Sequence, residues 1–359
     1  MTAEQQLAAL IQTITPPDER AAQSAQEHWN ALAKPLGSLG LLEDAITQIA
    51  ALTGEPQVQL KPRRVIVFCA DNGVVAQGVT QSPQSVTATV AHSLAKGITS
   101  VCRMAKAADC QVLPVDMGIA DYAGEEGVLN CRIRNGTNDC TQGPAMSREE
   151  AAKAVLAGVN LVQKLAAEGV KLIATGEMGI GNTTTAACVL CALLGAAPEK
   201  ITGRGAGLSD EGLRRKKAAV QAALTANQAA LGDALGILAS VGGLDIAGMC
   251  GAFLGGALAG VPVLADGVIS VAAALLAVRL CPESAKAILA SHVSAEPAGA
   301  LALEALGKKP LITAGLRLGE GTGAVAAMPL LDMALAVYNE GYTFVSAGLT
   351  PYQKLGGEA

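Results

Sequence analysis

One pattern recurs four times in this chain and constrains its fold more than any other feature: a short apolar run, an acid beside glycine, then a helical pattern. It occurs as VIVFCADNG (65–73), VLPVDMG (112–118), KLIATGEMG (171–179) and VPVLADG (261–267). Short strands alternating with helices imply an α/β fold, a mainly parallel, Rossmann-like sheet covered by helices on both faces. Ligands of such sheets bind outside the carboxyl ends of the strands. Asp71, Asp116, Glu177 and Asp266 are therefore expected around one crevice, although any one of them alone could cap a helix or turn.

Helical periodicity extends from the N-terminus to about residue 31. KPLGSLG (34–40) then reads as a turn, and LLEDAITQIAALT (41–53) resumes the helical pattern before Pro56. After Glu320 the chain reads as helix again to about Tyr338. The two ends are expected to pack as a small helical subdomain, residues 1–30 plus 290–345, beside a large α/β domain of residues 31–289 that carries most of the site.

Composition excludes several function classes. Only 16% of the 359 residues are charged and the net charge is -5, so there is no basic surface for a polyanion; aromatics, at 2%, offer few stacking platforms for single strands. Nucleic acid is excluded as a partner on these grounds. The nine cysteines are an odd number scattered along the chain, and MTAEQQLAALIQTITPPDER lacks a basic, then apolar, signal pattern. The expectation is a reduced, cytoplasmic protein. Cys188 and Cys191 form a CxxC inside a helical pattern with no second pair nearby, so they read as buried thiols, and the three distant histidines give no metal cluster.

Residues 246–265, IAGMCGAFLGGALAGVPVLA, run 20 residues without a charge, long enough for a membrane span. Asp245 and Asp266 bound the run, Pro262 interrupts it, and no Lys or Arg cluster flanks it. It reads instead as a buried helix followed by a short strand, with Gly251, Gly255, Gly256 and Gly260 allowing close approach to a sheet. No membrane span is expected.

Two glycine-rich segments suit an anion. TGEMGIGNTTTAA (175–187) sets Gly179, Gly181, Asn182 and Thr183 at the start of a helix, and GRGAGLSDEGLRRKK (203–217) brings Gly203, Gly205 and Gly207 before a possible cation, Lys216. Neither is a Walker loop, and the G-x-G spacings lack the full dinucleotide fingerprint. A third glycine-rich turn, RLGEG (317–321), carries an acid, Glu320, where a phosphate site would need bare N–H groups. Its bland reading is a solvated acid that complements a helix dipole.

Taken in order, KPLGSLGLLE, CADNGV, SPQSVTA, GEMGIGNTTTAA, GRGAGL, VGGLDIAG, LADG, SHVSAE and RLGEGTGAVAAMP span residues 34–328. In this order the chain resembles the nicotinate-nucleotide:dimethylbenzimidazole phosphoribosyltransferases of cobalamin nucleotide-loop assembly. The resemblance implies phosphoribosyl transfer from nicotinate mononucleotide to 5,6-dimethylbenzimidazole or a related base, and a homodimer; with no clustered His or Cys ligands and a leaving group, nicotinate, that carries no pyrophosphate, no metal or cofactor is expected. By the same resemblance Glu320 matches a proposed general base and Glu177 a second active-site carboxylate. Ser82, Leu318 and Met178 match the base pocket, and the 203–207 loop, Lys216 and Ser291 match the nucleotide and phosphate side. Val90 departs from the glutamine of some members, which puts in question a hydrogen bond to the azole there. Two other classes compete: a different phosphoribosyl or nucleotide enzyme on the same sheet, and a non-catalytic small-molecule carrier.

Overall fold

The computed structural model describes residues 1–352. Six strands, β1 (Arg63–Ala70), β2 (Gln111–Gly118), β3 (Leu129–Asn130), β4 (Leu172–Met178), β5 (Val263–Ala265) and β6 (Ile288–Ala290), form one wholly parallel sheet in the order β3-β2-β1-β4-β5-β6. This is the doubly wound order, which reverses direction between β1 and β4 and opens a crevice at their carboxyl ends. The four apolar runs of the sequence are β1, β2, β4 and β5.

Fourteen helices among the described residues surround the sheet: α1 (Ala3–Ile11), α2 (Glu19–Ala31), α3 (Leu41–Thr53), α4 (Val86–Ala95), α5 (Ser100–Ala107), α6 (Arg148–Ala167) and α7 (Asn182–Leu194), then α8 (Pro198–Ile201), α9 (Asp210–Ala226), α10 (Ala234–Val241), α11 (Leu244–Ala259), α12 (Val268–Leu280), α13 (Gly299–Leu306) and α14 (Thr322–Glu340). Alternation along β1 sorts them into two layers. Ile66, Phe68 and Ala70 join the core made with α1, α6, α7 and α9 to α13, while Val65, Val67 and Cys69 join the core made with α2 to α5 and α14.

The single N-terminal helix expected to residue 31 is two helices. Pro16 and Pro17 cannot supply helical N–H groups, and Asp18 restarts the chain by accepting from the N–H groups of Arg20 and Ala21, both at 2.9 Å. The chain ends are also divided between the two layers. His28 and Trp29 of α2 stack edge-on against Tyr338 of α14, but α1 buries Ala3 and Leu7 toward α6 and α13 packs on α12. The boundary expected between 289 and 290 falls inside β6.

KPLGSLG forms the expected turn, fixed by a buried acid from the following helix. The Glu43 carboxylate accepts from Lys34 Nζ at 2.7 Å and from the Leu39 N–H at 2.9 Å. Residues 246–265 are likewise the buried helix α11 and strand β5. Their glycines divide: a Cβ at Gly256 would lie 2.5 Å from Val263 of the sheet, whereas one at Gly251 would lie 2.0 Å from the Val155 carbonyl of α6. The small residues thus serve a helix–helix crossing as well as the sheet. Among the described residues one helix, α14, is long and apolar enough to cross a membrane, and half of its apolar stretch is buried in the fold.

Candidate active site

Beyond the carboxyl ends of β4 and β5 lies a cleft of about 230 Å³. Glu177, the penultimate residue of β4, forms its floor, Asp266 follows β5 on one side, and Leu318, Gly319 and Glu320 close the other. The RLGEG turn can lie so close because β4 is bare at Gly176, where a Cβ would come within 2.4 Å of the Glu320 carbonyl oxygen. Glu320 has φ +60° between Gly319 and Gly321, both at φ +90°. A non-glycine residue held in the left-handed region stores strain, a feature that concentrates at functional sites.

The loop is fixed by Asp266. Its two carboxylate oxygens accept from the N–H groups of Gly321 at 3.1 Å and Ala324 at 3.0 Å, so Asp266 caps α14 from across the sheet. The dipole of α14 is therefore already complemented, and the bland reading of Glu320 as its helix-start acid loses its physical basis. The Glu320 side chain instead extends toward Thr99 and Val101 at the start of α5, with Oε2 buried and unpartnered. Burial raises its proton affinity above the usual carboxyl range, and donors from Val101 and Thr99 oppose that rise in part.

Glu177 also holds its proton well above the carboxyl norm, first through desolvation and then through Asp245, with Asp266 and Glu320 adding repulsion. Asn182, the first residue of α7, donates from one amide nitrogen both to Glu177 and to Asp245, the latter at 2.9 Å. Glu177, Asp266 and Glu320 thus place three acids around the cleft, with His292 Nδ1 3.9 Å from Asp266 Oδ1 and its pKa lowered by burial, an environment that favours positive charge developing on a bound molecule.

The other end of the cleft has the character expected for an anion. α7 starts after Gly181 with no side-chain cap, and Thr183, Gly205 and Ala206 line the wall. Directly behind, the buried Lys216 donates from Nζ to Thr183 Oγ1 at 2.8 Å. Burial pushes its pKa down to about 8, against the raising effect of Glu296. Gly205, at φ +55°, leaves only 3.3 Å between a would-be Cβ and that ammonium, so a side chain here would crowd the cation away from the cleft.

The expected site residues divide accordingly. Glu177, Met178, Gly179, Asn182, Thr183, Gly205, Asp266, Leu318 and Glu320 all line the cleft. Gly203 lies behind it under Glu296, and the carbonyl of Gly207 accepts from Gln81 Nε2. Ser291 turns inward, its Oγ donating to the Ala265 carbonyl at 2.6 Å. Ser82 and Val90 stand off on the segment around α4; Val90 borders the same apolar core as Met178, and Thr87 of α4 accepts from the Ile180 N–H at 3.1 Å. The crevice of four acids is corrected to two of them, Glu177 and Asp266. Asp116 is bound by Arg132 at 2.8 Å and by the N–H groups of Gly118 and Ile119, and Asp71 accepts from the Ala120 N–H at 2.8 Å, so both hold the loop after β2.

Four contributors escaped the sequence reading. Asp245 sits inside VGGLDIAG, which reads as the start of a buried helix; His292 and Glu296 lie in SHVSAE, where only Ser291 was singled out; and Arg317, exposed at the cleft mouth, precedes the RLGEG acid. An acid at the first turn of an otherwise wholly apolar helix was the available signal for Asp245.

Known proteins resemble this chain in sequence and in fold. The family model described as Phosphoribosyltransferase matches residues 14–349. A nicotinate-nucleotide–dimethylbenzimidazole phosphoribosyltransferase of Acetivibrio thermocellus is 44% identical over 328 residues, 91% of this chain and 93% of the relative. That of Escherichia coli is 42% identical over 338 residues, 93% of this chain and 94% of the relative. A crystal structure of the Thermus thermophilus enzyme of that name, 41% identical, superposes with a TM-score of 0.86 over 93% of this chain and 99% of that one. With its doubly wound sheet and its acid-floored cleft, the chain belongs to the nicotinate-nucleotide–dimethylbenzimidazole phosphoribosyltransferase family.

Proposed function

We propose that this enzyme transfers the 5-phosphoribosyl group of nicotinate mononucleotide to 5,6-dimethylbenzimidazole, or a related base, in cobalamin nucleotide-loop assembly. The products are α-ribazole 5′-phosphate and nicotinate. One ring nitrogen of the benzimidazole attacks C1′ of the ribose from the face opposite nicotinate. The C1′–N bond breaks, its electron pair neutralises the pyridinium ring, and a β-nucleotide becomes an α-product in a single displacement. The other ring nitrogen sheds its proton to the Glu320 carboxylate. In the transition state the sugar carries oxocarbenium character, which Glu177 stabilises from the cleft floor.

The observation that carries this reading is Glu320 itself: a strained, half-buried carboxylate with an unpartnered oxygen, beside the Leu318 wall of an acid-floored cleft. A neutral azole that must lose a proton needs such a group, and a phosphate would be repelled by it. Support for the phosphate end comes from Thr183, Gly205 and Lys216, and for the base end from Met178 and Leu318. The homodimer and the cytoplasmic setting belong to the same proposal; exposed Met333, Val337 and Val345 offer apolar surface for a second copy. Incubating the purified chain with the two substrates and assigning the anomer by proton NMR tests the function. The α-anomer with stoichiometric nicotinate is expected, and a β-product or no product refutes it.

A further inference from the structure

Asp245 is fully enclosed and does not line the cleft, yet it shares a hydrogen-bond donor with a residue that does. The Asn182 side-chain nitrogen has two hydrogens; one meets Glu177 Oε2 and the other Asp245 Oδ2 at 2.9 Å. No lysine, arginine or histidine pairs with either carboxyl group among the described residues. Asp245 is held firmly on its far side, where Oδ1 accepts from the Ile246 N–H at 3.0 Å at the start of α11. The backbone is shaped around this contact, since a Cβ at Gly179 would lie 2.8 Å from Asp245 Oδ2 and one at Gly243 would lie 2.4 Å from Oδ1.

We propose that Asp245 is a positioning residue for Glu177: through the Asn182 amide it aims the Glu177 carboxyl group at the cleft, and the three side chains act as one unit bearing a single negative charge. The charge statement follows from the geometry. A neutral amide can orient two buried carboxyl groups but cannot neutralise both, so one proton stays on the pair. Burial and the neighbouring acids raise the proton affinity of both partners, with Asp245 at about 6. The charged and titratable groups facing the unit are Glu320 from the glycine turn, Asp266 from the end of β5, Asp71 beyond the end of β1, and the Cys69 thiol of β1, which burial keeps protonated. Beyond these acids, His292 Nδ1 stands 3.9 Å from Asp266 Oδ1 with its pKa lowered by burial, and Arg317 lies exposed at the cleft mouth; neither pairs with Glu177 or Asp245.

The inference rests on the proposed role of Glu177 at the sugar, and the test separates the two. Rates are measured against pH with nicotinate mononucleotide and dimethylbenzimidazole for the full chain, Asp245→Asn, Asp245→Ala, Glu177→Gln and the Asp245→Asn/Glu177→Gln double variant. Asp245→Asn keeps an acceptor for Asn182 and removes the repulsion, so the acid limb of kcat/KM is expected to move down by about one pH unit or more. The double variant should show the acid limb of Glu177→Gln alone. Asp245→Ala should lower kcat roughly tenfold or more with the KM for nicotinate mononucleotide little changed, because orientation rather than binding is lost. A slow Glu177→Gln enzyme combined with a wild-type acid limb in Asp245→Asn overturns the role of Asp245 and leaves that of Glu177 intact. A wild-type rate in Glu177→Gln overturns both. Should Asp245→Ala fail to fold, the Asp245→Asn profile decides.

Discussion

Replacing Glu320 by Gln tests the chemistry at the residue where two readings predict opposite outcomes. Glutamine keeps the length of the side chain and the left-handed backbone of the turn, but it cannot take a proton from the azole. General-base catalysis contributes about 10²- to 10⁴-fold, so the single-turnover rate should fall by that factor, an increase of about 2.7–5.4 kcal/mol in the barrier. The stability effect has the opposite sign from the one a dipole-complementing acid would give. Because burial raises the proton affinity of Glu320 in the folded chain, the stability it contributes is complete below the unfolded carboxyl range and is lost as pH rises through the raised folded value. Above that raised value the ionised side chain is a cost that glutamine removes, so there the Tm of Glu320→Gln should equal or exceed that of the wild type. A helix-start acid would instead lose about 0.3–1 kcal/mol on the same change. The assay is rapid-quench single turnover with chromatographic detection of the ribazole phosphate, beside thermal melts of the same preparation. Wild-type turnover with a lowered Tm would refute the reasoning.

Other expectations follow from the remaining parts of the cleft. Lys216→Ala should weaken nicotinate mononucleotide by roughly 10- to 150-fold, the value of about 1.5–3 kcal/mol for a charged hydrogen bond, and leave dimethylbenzimidazole within about twofold; equal small changes by calorimetry would reject the phosphate role. Since burial holds the lysine pKa at about 8, wild-type affinity for the nucleotide should be full below that pH and decline above it, as the ammonium loses its proton. Gly319→Ala places a methyl group 2.6 Å from Glu177 Oε1 at φ +90°, and is expected to cost about 1–2 kcal/mol of stability and to lower kcat. A wild-type melt and rate for Gly319→Ala would refute this steric argument.

Four of the six strands were legible because they are largely buried and therefore read as apolar runs that end on or beside an acid. Strand order was not, since β5 and β6 are three residues each and nothing in their sequence states a neighbour. The acids at the strand exits illustrate the same limit at the site. Asp71 and Asp266 have the same local pattern, yet Asp71 turns to the Ala120 N–H and Asp266 to the start of α14; the choice depends on which backbone donors later segments bring near. Lys216 was picked out of RRKK as a cation following a glycine-rich loop, and again by the resemblance. Periodicity could have done so, for Gly212, Lys216, Ala219 and Ala223 form the buried stripe of α9 while Arg215 points outward to Glu211 at 2.8 Å. Asp245 needed the structure, because its meaning lies in an amide from α7 that is 63 residues away in the chain.

The cap that Asp266 supplies has a dynamic consequence. A single carboxylate accepts from Gly321, the last residue of the turn, and from Ala324, in the first turn of α14. The turn and the helix therefore cannot loosen independently; freeing one N–H requires the carboxylate to release or swing on the other. In native-state hydrogen exchange the Gly321 and Ala324 amides should open as a pair, with one shared free energy, and Asp266→Ala should uncouple them. The register of Glu320 over the cleft is then set from the end of β5, by a group on the opposite wall, so strand end, turn and helix start are expected to move as one body.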